Sequence, residues 1–324
     1  MTKGKRVLIS GMGSELGSLV ATLLEQEPAV GEMVGLDIDP PRRRLRRARF
    51  HRVDPSDRRK IVGIVRNVDP EVVIHLGVWE PDARANPRDA AQWTASAAIG
   101  VLGAAATCPS LEHLVVRSGV SIYGRRRGSA TRPDESVTPD PMTPFGRTLL
   151  QMEQVAERTQ RTADVPMTVL RLAPVVGPHV PSPLGRLLRL PAVPVSALAD
   201  PAFALVDDQD AAAAIVAAAG RRYDGVVNVA SPGAVTAIKA ARMGGRIPVP
   251  LLGPEWAVAR FVTGVFGVSI PSYVLELMHR GGTVDAGHAG DAIGVMPSHS
   301  TPEVVQALYE WATVVHLRPS EAVA

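Results

Sequence analysis

The stretch 6–37, RVLISGMGSELGSLVATLLEQEPAVGEMVGLD, decides the fold of this 324-residue chain. It begins with a short run of branched apolar residues, which is typical of a buried parallel strand. A glycine-rich turn over 11–17 then leads into a segment with leucine and valine at helical spacing. A second strand is predicted at 34–36, and the carboxylate of Asp37 follows it directly. This order of strand, turn, helix and strand predicts the start of a doubly wound parallel sheet.

The glycine-rich turn also has the features of an anion site. A helix that begins after small residues presents backbone N–H groups to a pyrophosphate. A carboxylate about twenty residues beyond the last glycine accepts hydrogen bonds from an adenosine ribose, and Asp37 has that spacing from Gly17. Glycines also mark ordinary turns, but this strand–turn–helix context is the one that the dinucleotide motif requires. The stretch therefore predicts a dinucleotide site.

The composition limits the classes of function. Cys108 is the only cysteine, which excludes an intrachain disulfide and a cysteine-ligated metal cluster. The eight histidines are dispersed along the chain without the spacing of metal ligands, so no metal site is predicted. The first predicted strand begins almost at the N-terminus, and we therefore expect no signal peptide and a cytoplasmic location.

One segment carries a dense run of positive charge. The formal net charge is +3, and a dense cluster of arginines lies within 42–52. A nucleic-acid site would combine such a run with aromatic side chains or a known reading motif, and neither is present. We therefore expect a solvated basic segment and no nucleic-acid partner.

Strand and helix patterns alternate along most of the chain, which indicates a parallel sheet covered by helices on both faces. Later strands are predicted at 49–53, 71–76, 112–118, 167–172, 203–206 and 226–229, and helices at 56–67, 89–107, 145–162 and 208–219. Ser56 is the expected cap of the first of these helices, and Thr301 the cap of the last helix of the chain. We predict a dinucleotide-binding domain over 1–177, to which 203–230 returns, and a smaller lobe from 178–202 and 231–324.

The C-terminal lobe is predicted to be mostly helical. Its most hydrophobic stretch, 256–277, is interrupted by Arg260 and Pro271. It therefore falls short of the roughly twenty unbroken apolar residues that a membrane span needs. We expect two packed helices there, although a role at a membrane surface or in binding a partner is left open.

Taken together, these motifs resemble an extended short-chain dehydrogenase/reductase of the NAD-dependent epimerase/dehydratase family, in an actinobacterial-type branch. The resemblance extends over nearly the whole chain and is strongest in the first 180 residues. The motifs that carry it are Ser10-Gly11 through Gly17, Leu36-Asp37, Val53-Asp54, Ile74-His75-Leu76-Gly77, Val116 to Gly124, Leu170-Arg171 with Gly177-Pro178, Val206-Asp207-Asp208 and Ile293 to Pro297.

The resemblance implies an NAD site and assigns residues to it. The pyrophosphate would be lined by Gly11, Ser14, Glu15, Leu16 and Gly17, the ribose held by Asp37, and the adenine held by Asp54 and Pro55. Leu76, Gly77 and Val78 would run beneath the second nucleotide, with Ser118 and Leu172 near the nicotinamide. Asp37 would repel the 2′-phosphate of NADP, which favours NAD. NADP stays possible because the arginines at 42–44 could pair with that phosphate.

The sequence departs from the family where chemistry is expected. Family members use a Tyr-x-x-x-Lys pair on the helix after the fifth strand, in which the ammonium lowers the phenol pKa. Phe145 stands at the tyrosine position and Leu149 at the lysine position, and no lysine occurs between 60 and 239. Gly119 replaces the usual serine or threonine, although Ser118 and Ser121 flank it.

The predicted substrate pocket consists of Gly119, Ser121, Phe145 and Pro174, the last standing where the family has asparagine. The catalytic residues are unknown. The candidates for a replacement base are Glu80, Tyr123, Asp134 and Glu135.

Two functions follow from these observations and are left open. One is an epimerase-, dehydratase- or reductase-type enzyme that transfers a hydride with a nucleotide-sugar or similar polar substrate. The other is a catalytically inactive dinucleotide-binding sensor or scaffold. The helices that begin near Asp89 and Phe145 are where this family forms dimers, so a homodimer is expected from the resemblance.

Overall fold

The computed structural model describes residues 4–252, 256 and 269–310. The strands are β1 (Lys5–Ser10), β2 (Val30–Asp37), β3 (Ala48–Arg52), β4 (Val72–His75), β5 (His113–Gly119), β6 (Met167–Leu172), β7 (Val175–Val176), β8 (Ala192–Ser196), β9 (Ala202–Phe203), β10 (Val206–Asp207), β11 (Gly225–Val229), β12 (Val235–Thr236) and β13 (Ile247–Leu251). The helices are α1 (Glu15–Leu24), α2 (Arg58–Val68), α3 (Pro87–Ala105), α4 (Pro144–Ala163), α5 (Pro183–Leu188), α6 (Asp208–Arg221), α7 (Ala237–Met243), α8 (Ser272–Arg280), α9 (Ala289–Ile293) and α10 (Thr301–Glu310).

The central sheet is parallel and has the order β11-β6-β5-β4-β1-β2-β3. The strand order reverses between β1 and β4, which pair so that Ser10 lies opposite His75. In a doubly wound sheet, a ligand binds at the carboxyl ends of the strands where the order reverses. The predicted fold class, a Rossmann-type α/β sheet, is confirmed, and its crevice opens beside the glycine-rich turn.

Helices cover both faces of this sheet, as the alternating pattern predicts. On one face α1 and α6 pack together over a core that includes Ile9, Val20 and Ile215. On the other face α2, α3 and α4 pack over a second core that includes Leu8, Val65 and Met152. Since side chains alternate along a strand, Leu8 and Ile9 of β1 enter opposite cores.

A third apolar cluster lies in the C-terminal region and includes Leu187, Val193 and Val274. Helices are present there as predicted, and the region also contains the parallel pair β8–β13, which was not predicted. The predicted single strand at 203–206 is also wrong, because two short strands, β9 and β10, pair with different partners. The division into two units at residue 177 stays a prediction, although β11 adds to the central sheet beside β6.

Two predicted helix caps are displaced by one residue. The carboxylate of Asp57, rather than Ser56, accepts the Lys60 amide at the start of α2. At α10 the Ser300 hydroxyl accepts the Glu303 amide, and the Glu303 carboxylate accepts the Ser300 amide at 2.7 Å. This reciprocal pair is a capping box.

No helix within the described residues is long and apolar enough to cross a membrane. The stretch 256–277, predicted to form two helices, is described in part. Its end lies in α8, whose residues Val274 and Leu277 are buried. Residues 257–268 lie outside the described part of the chain.

Candidate functional site

Between β1 and the first turn of α1, Gly11 and Gly17 stand where a side chain would meet backbone. Gly11 has φ +80°, and a Cβ there would lie 2.6 Å from the Leu76 carbonyl group. At Gly17 a Cβ would lie 2.1 Å from the Gly11 carbonyl oxygen. The glycines therefore allow the turn to approach the end of β4 and the first turn of α1 to pack against it.

Ser14 organises the start of α1. Its hydroxyl accepts the Gly17 amide at 2.9 Å and donates to the Gly11 carbonyl at 2.8 Å. A helix leaves its first amides without intrahelical acceptors, and Glu15 and Leu16, which carry two of them, line the adjoining cleft. The helix dipole adds partial positive charge at this end. The residues present thus fit a pyrophosphate.

Asp37 connects the end of β2 to the turn. Its Oδ2 accepts the Gly13 amide at 2.9 Å, and its Oδ1 accepts the Ile38 amide at 2.6 Å. Burial raises the pKa of this carboxyl above its usual value, whereas the backbone donors oppose that rise. The carboxylate is therefore fixed at the edge of the cleft, where it can accept hydrogen bonds from a ribose.

The cleft at this edge of the sheet brings together most of the predicted cofactor residues: Gly11, Ser14, Glu15, Leu16, Asp37, Leu76, Gly77 and Val78. Gly17, Asp54 and Pro55 do not line it. Asp54 is exposed and accepts the Ser56 amide at 2.8 Å. The roles assigned to these three residues stay predictions.

Several residues that line the cleft were not predicted from the sequence: Asp39, Trp79, Ala83, Arg84, Arg117, Val175, Val180 and Pro181. Arg84 lies among several charges, those of Arg42, Asp39, Asp37 and Glu15. Its guanidinium donates to the Gly13 carbonyl at 3.4 Å. No local pattern predicts this contact, since the loop after β4 carries Arg84 back to the turn.

A smaller chamber, which we call the inner cavity, adjoins the cleft and shares Val78, Glu80 and Arg117 with it. Its remaining lining is Ser118, Gly119, Ser121, Phe145, Leu172, Ala173, Pro174 and Tyr273. It thus contains all four residues of the predicted substrate pocket and the two predicted nicotinamide neighbours. Arg117, Ala173 and Tyr273 are the lining residues that were not predicted from the sequence.

Apolar side chains occupy the positions that the resemblance assigns to the tyrosine–lysine pair. Leu149 is 1% exposed, and its Cδ1 would lie 3.2 Å from a Cβ placed on Gly119. Phe145 is partly buried and packs on Tyr273, with ring centroids 5.0 Å apart. The Ser118 hydroxyl is buried and has no partner among the described residues.

Three of the four candidate bases lie outside the inner cavity. The Tyr123 hydroxyl donates to Asn228 Oδ1 at 2.7 Å and accepts from Arg171 at 3.0 Å. Glu135 accepts the Asn228 amide at 2.7 Å. Asp134 is exposed and binds Ser136. Glu80 is the remaining candidate, and it lines both the cleft and the inner cavity.

Two histidines of the described residues lie beside other polar side chains, His75 beside a serine and His299 beside two carboxylates. His75 Nδ1 lies 2.6 Å from the Ser10 hydroxyl, and burial lowers the pKa of His75 to about 4. His75 is thus a packed side chain of the interior, 0% exposed. Asp207, Asp210 and His299 place three potential ligand atoms within 4.8 Å of one another, which the sequence spacing did not indicate.

The arginines at 42–52 make contacts within the chain. Arg43 pairs with Glu15 at 3.1 Å beside the cleft. Arg47 donates to the Glu25 carbonyl at 2.8 Å, and Arg49 pairs with Glu32. The position of Arg43 places a cation beside the predicted pyrophosphate region.

The parallel sheet and the glycine-rich turn, together with Asp37 at the end of β2 and the two adjoining cavities, define a Rossmann-type dinucleotide-binding protein. The chain belongs to the NAD-dependent epimerase/dehydratase family, which matches residues 7–230. The predicted family and its NAD cofactor are thereby confirmed.

A relative from Mycobacterium tuberculosis, a protein without an assigned function, is 29% identical over 263 residues, which cover 78% of this chain and 70% of that one. A Mycobacterium bovis protein matches to the same extent.

Solved structures with the same fold include sugar-nucleotide enzymes. The UDP-glucose 4-epimerase of Thermotoga maritima, with UDP-glucose, has a TM-score of 0.73 at 19% identity, and the match covers 94% of this chain and 98% of that one. The UDP-glucuronic acid 4-epimerase of Bacillus cereus, with UDP-glucuronic acid and NAD, has a TM-score of 0.73 at 18% identity and the same coverage. At such identities the likeness shows the fold alone.

Proposed function

We propose that this protein binds NAD and transfers a hydride reversibly between the nicotinamide and a hydroxyl-bearing carbon of a nucleotide-sugar. Bound NAD would supply the hydride acceptor. The chain's own residues would hold the pyrophosphate at the start of α1, fix the ribose at Asp37 and present the sugar in the inner cavity. NAD is proposed over NADP because two carboxylates, Asp37 and Asp39, line the cleft.

The single observation that carries this proposal is that the cleft and the inner cavity adjoin and share Val78, Glu80 and Arg117 in their linings. Ser118 and Leu172, the predicted neighbours of the nicotinamide, line the same chamber as Ser121 and Pro174. A substrate hydroxyl in that chamber would therefore lie beside the reactive end of a dinucleotide in the cleft. The substrate class is supported by the sugar nucleotides in the related structures from T. maritima and B. cereus.

The first prediction concerns reduction of the bound cofactor. Protein loaded with NAD and mixed with UDP-glucose, UDP-glucuronic acid or dTDP-glucose should gain absorbance near 340 nm, as the sugar hydroxyl is oxidised to a ketone. Heat-inactivated protein is the control. No gain above that control with any of the three sugar nucleotides would contradict the proposed hydride transfer.

A second candidate, a dinucleotide-binding protein without catalysis, is favoured by the packing of Phe145 and Leu149. A general base contributes about 10²- to 10⁴-fold to a rate, and these apolar side chains supply none. Under this candidate NAD at 100 times its Kd would stabilise the fold by about 2.7 kcal/mol without any absorbance change. The absorbance measurement with the three sugar nucleotides therefore distinguishes the enzyme from the non-catalytic dinucleotide-binding protein.

The homodimer, the cytoplasmic location and the sensor or scaffold role stay predictions. A direct test of the first is the mass of the protein in solution with and without NAD.

A further inference from the structure

A buried ionic cluster lies at the boundary between the cleft and the inner cavity. Arg117, near the end of β5, donates to Glu80 Oε1 at 3.0 Å. The Tyr273 hydroxyl, on α8, donates to Glu80 Oε2 at 3.3 Å. The side chains of Arg117 and Glu80 are 11% and 17% exposed. Three distant segments thus converge on one carboxylate.

Burying these charges has a thermodynamic cost. Transfer of an ion pair from water costs several kcal/mol per ion unless geometry and additional hydrogen bonds offset it. Packing alone does not call for a carboxylate here, since an apolar side chain of similar volume would avoid that cost. The placement of the cluster beside a cavity therefore suggests a role in chemistry.

Tyr273 also lies where a substrate would be held. It is 6% exposed and lines both the inner cavity and a side cavity that continues past Ser121 and Pro174. Its ring packs on Phe145, the residue at the position of the family's tyrosine. A phenol from α8 therefore stands beside the aromatic side chain on α4 that lacks a hydroxyl.

We infer that Tyr273 and Glu80 form the proton relay for the reaction, with the phenol touching the substrate hydroxyl and the carboxylate receiving the proton. This inference rests on the proposed hydride transfer. Arg117 is a positioning residue, since its guanidinium holds Glu80 Oε1 by a hydrogen bond of 3.0 Å.

The step balances in atoms and electrons. The substrate O–H proton passes to the Tyr273 oxygen as the phenol proton passes to Glu80, while the C–H electron pair leaves with its hydrogen as hydride to NAD⁺. The alcohol carbon becomes a ketone, NAD⁺ becomes NADH, and Glu80 becomes a neutral acid. The reverse sequence returns the proton to the ketone oxygen.

The surroundings of Tyr273 agree with a relay rather than with a resting phenolate. Burial, together with the charge of Glu80, raises the pKa of Tyr273 well above its usual range. The phenol is therefore neutral at neutral pH and can donate and accept at once, which a relay requires.

The test compares Tyr273→Phe with Tyr123→Phe, a matched removal of a buried phenol oxygen outside both cavities. Tyr273→Phe keeps the ring on Phe145 and should slow the single-turnover reduction of NAD by UDP-glucose about 10²- to 10⁴-fold. The Kd for NAD should stay within about threefold. Tyr123→Phe should keep the wild-type rate. Glu80→Gln should match Tyr273→Phe, although it leaves Arg117 without its anion.

A second measurement does not depend on turnover. The chain has four tyrosines, so 3-fluorotyrosine labelling gives few ¹⁹F signals, and Tyr273→Phe identifies the one from residue 273. That signal should shift when UDP-glucose binds and should not shift with UDP, because only the sugar reaches the phenol.

The outcomes separate the relay from the proposed function. With the sugar nucleotide that reduces NAD in the wild type, equal NAD reduction by wild type and Tyr273→Phe, or an unchanged fluorine signal, overturns the relay and leaves hydride transfer standing. No NAD reduction by the wild type with any of the three sugar nucleotides overturns the proposed function, and the relay with it.

Discussion

Replacing Gly17 with alanine should weaken NAD binding about 10²-fold while the protein stays folded. The new Cβ would lie 2.1 Å from the Gly11 carbonyl oxygen and 2.9 Å from the Met12 Cα. A carbon and an oxygen need about 3.3 Å, so the turn and α1 must separate by roughly 1 Å. A misplacement of about 1 Å costs on the order of 10²-fold at a positioned site, and the amides of Glu15 and Leu16 would move with the helix. The measurement is isothermal titration with NAD.

The matched control for this variant is Gly63→Ala on α2. A Cβ there meets nothing within 4 Å, and alanine is favoured over glycine inside a helix by about 1 kcal/mol. Gly63→Ala should therefore bind NAD as the wild type does and melt at the same or a higher temperature. Wild-type affinity in Gly17→Ala would contradict the close packing of α1 against the turn.

Replacing Glu153 with alanine should lower the free energy of unfolding by about 3–5 kcal/mol. Glu153 and Arg171 form a bidentate pair at 3.1 and 2.8 Å, and their side chains are 5% and 6% exposed. Glu153→Ala leaves the guanidinium buried with only the Tyr123 hydroxyl as a polar partner from this cluster. Urea unfolding gives the difference directly.

Glu157→Ala provides the comparison on the same helix, because Glu157 is exposed one turn further along α4. Surface substitutions of this kind usually change stability by less than about 0.5 kcal/mol. Equal urea midpoints for Glu153→Ala and Glu157→Ala would contradict this prediction, because they would show that other groups stabilise the buried guanidinium of Arg171.

The sequence predicts the central sheet well because the information is local. The run at β1, the glycines at 11–17 and Asp37 all lie within one strand–helix–strand unit, and their spacing reflects direct contacts. The observed cap of α2 is Asp57 and not the predicted Ser56, because adjacent residues with acceptor side chains compete for the same amides.

The C-terminal region was harder to predict because its contacts join distant parts of the chain. Strands β8 and β13 pair residues that are 55 positions apart, such as Ala192 and Ile247, and both contain proline, which usually argues against a strand. Prediction of the candidate site was limited in the same way, because one of its residues comes from a distant segment. Glu80 could be selected from its place after β4, whereas Tyr273 reaches Glu80 only through the packing of α8 on the sheet domain, for which the sequence carries no local signal.

The central claim is that the first turn of α1 and the carboxylate of Asp37 hold NAD, and calorimetric titration of wild type and Asp37→Ala tests it most directly. The wild type should release or absorb heat with NAD at a stoichiometry of one. Asp37→Ala should bind about 10- to 100-fold more weakly, because hydrogen bonds to a charged acceptor contribute about 1.5–3 kcal/mol. No heat with either NAD or NADH, or identical curves for the two proteins, would contradict the account.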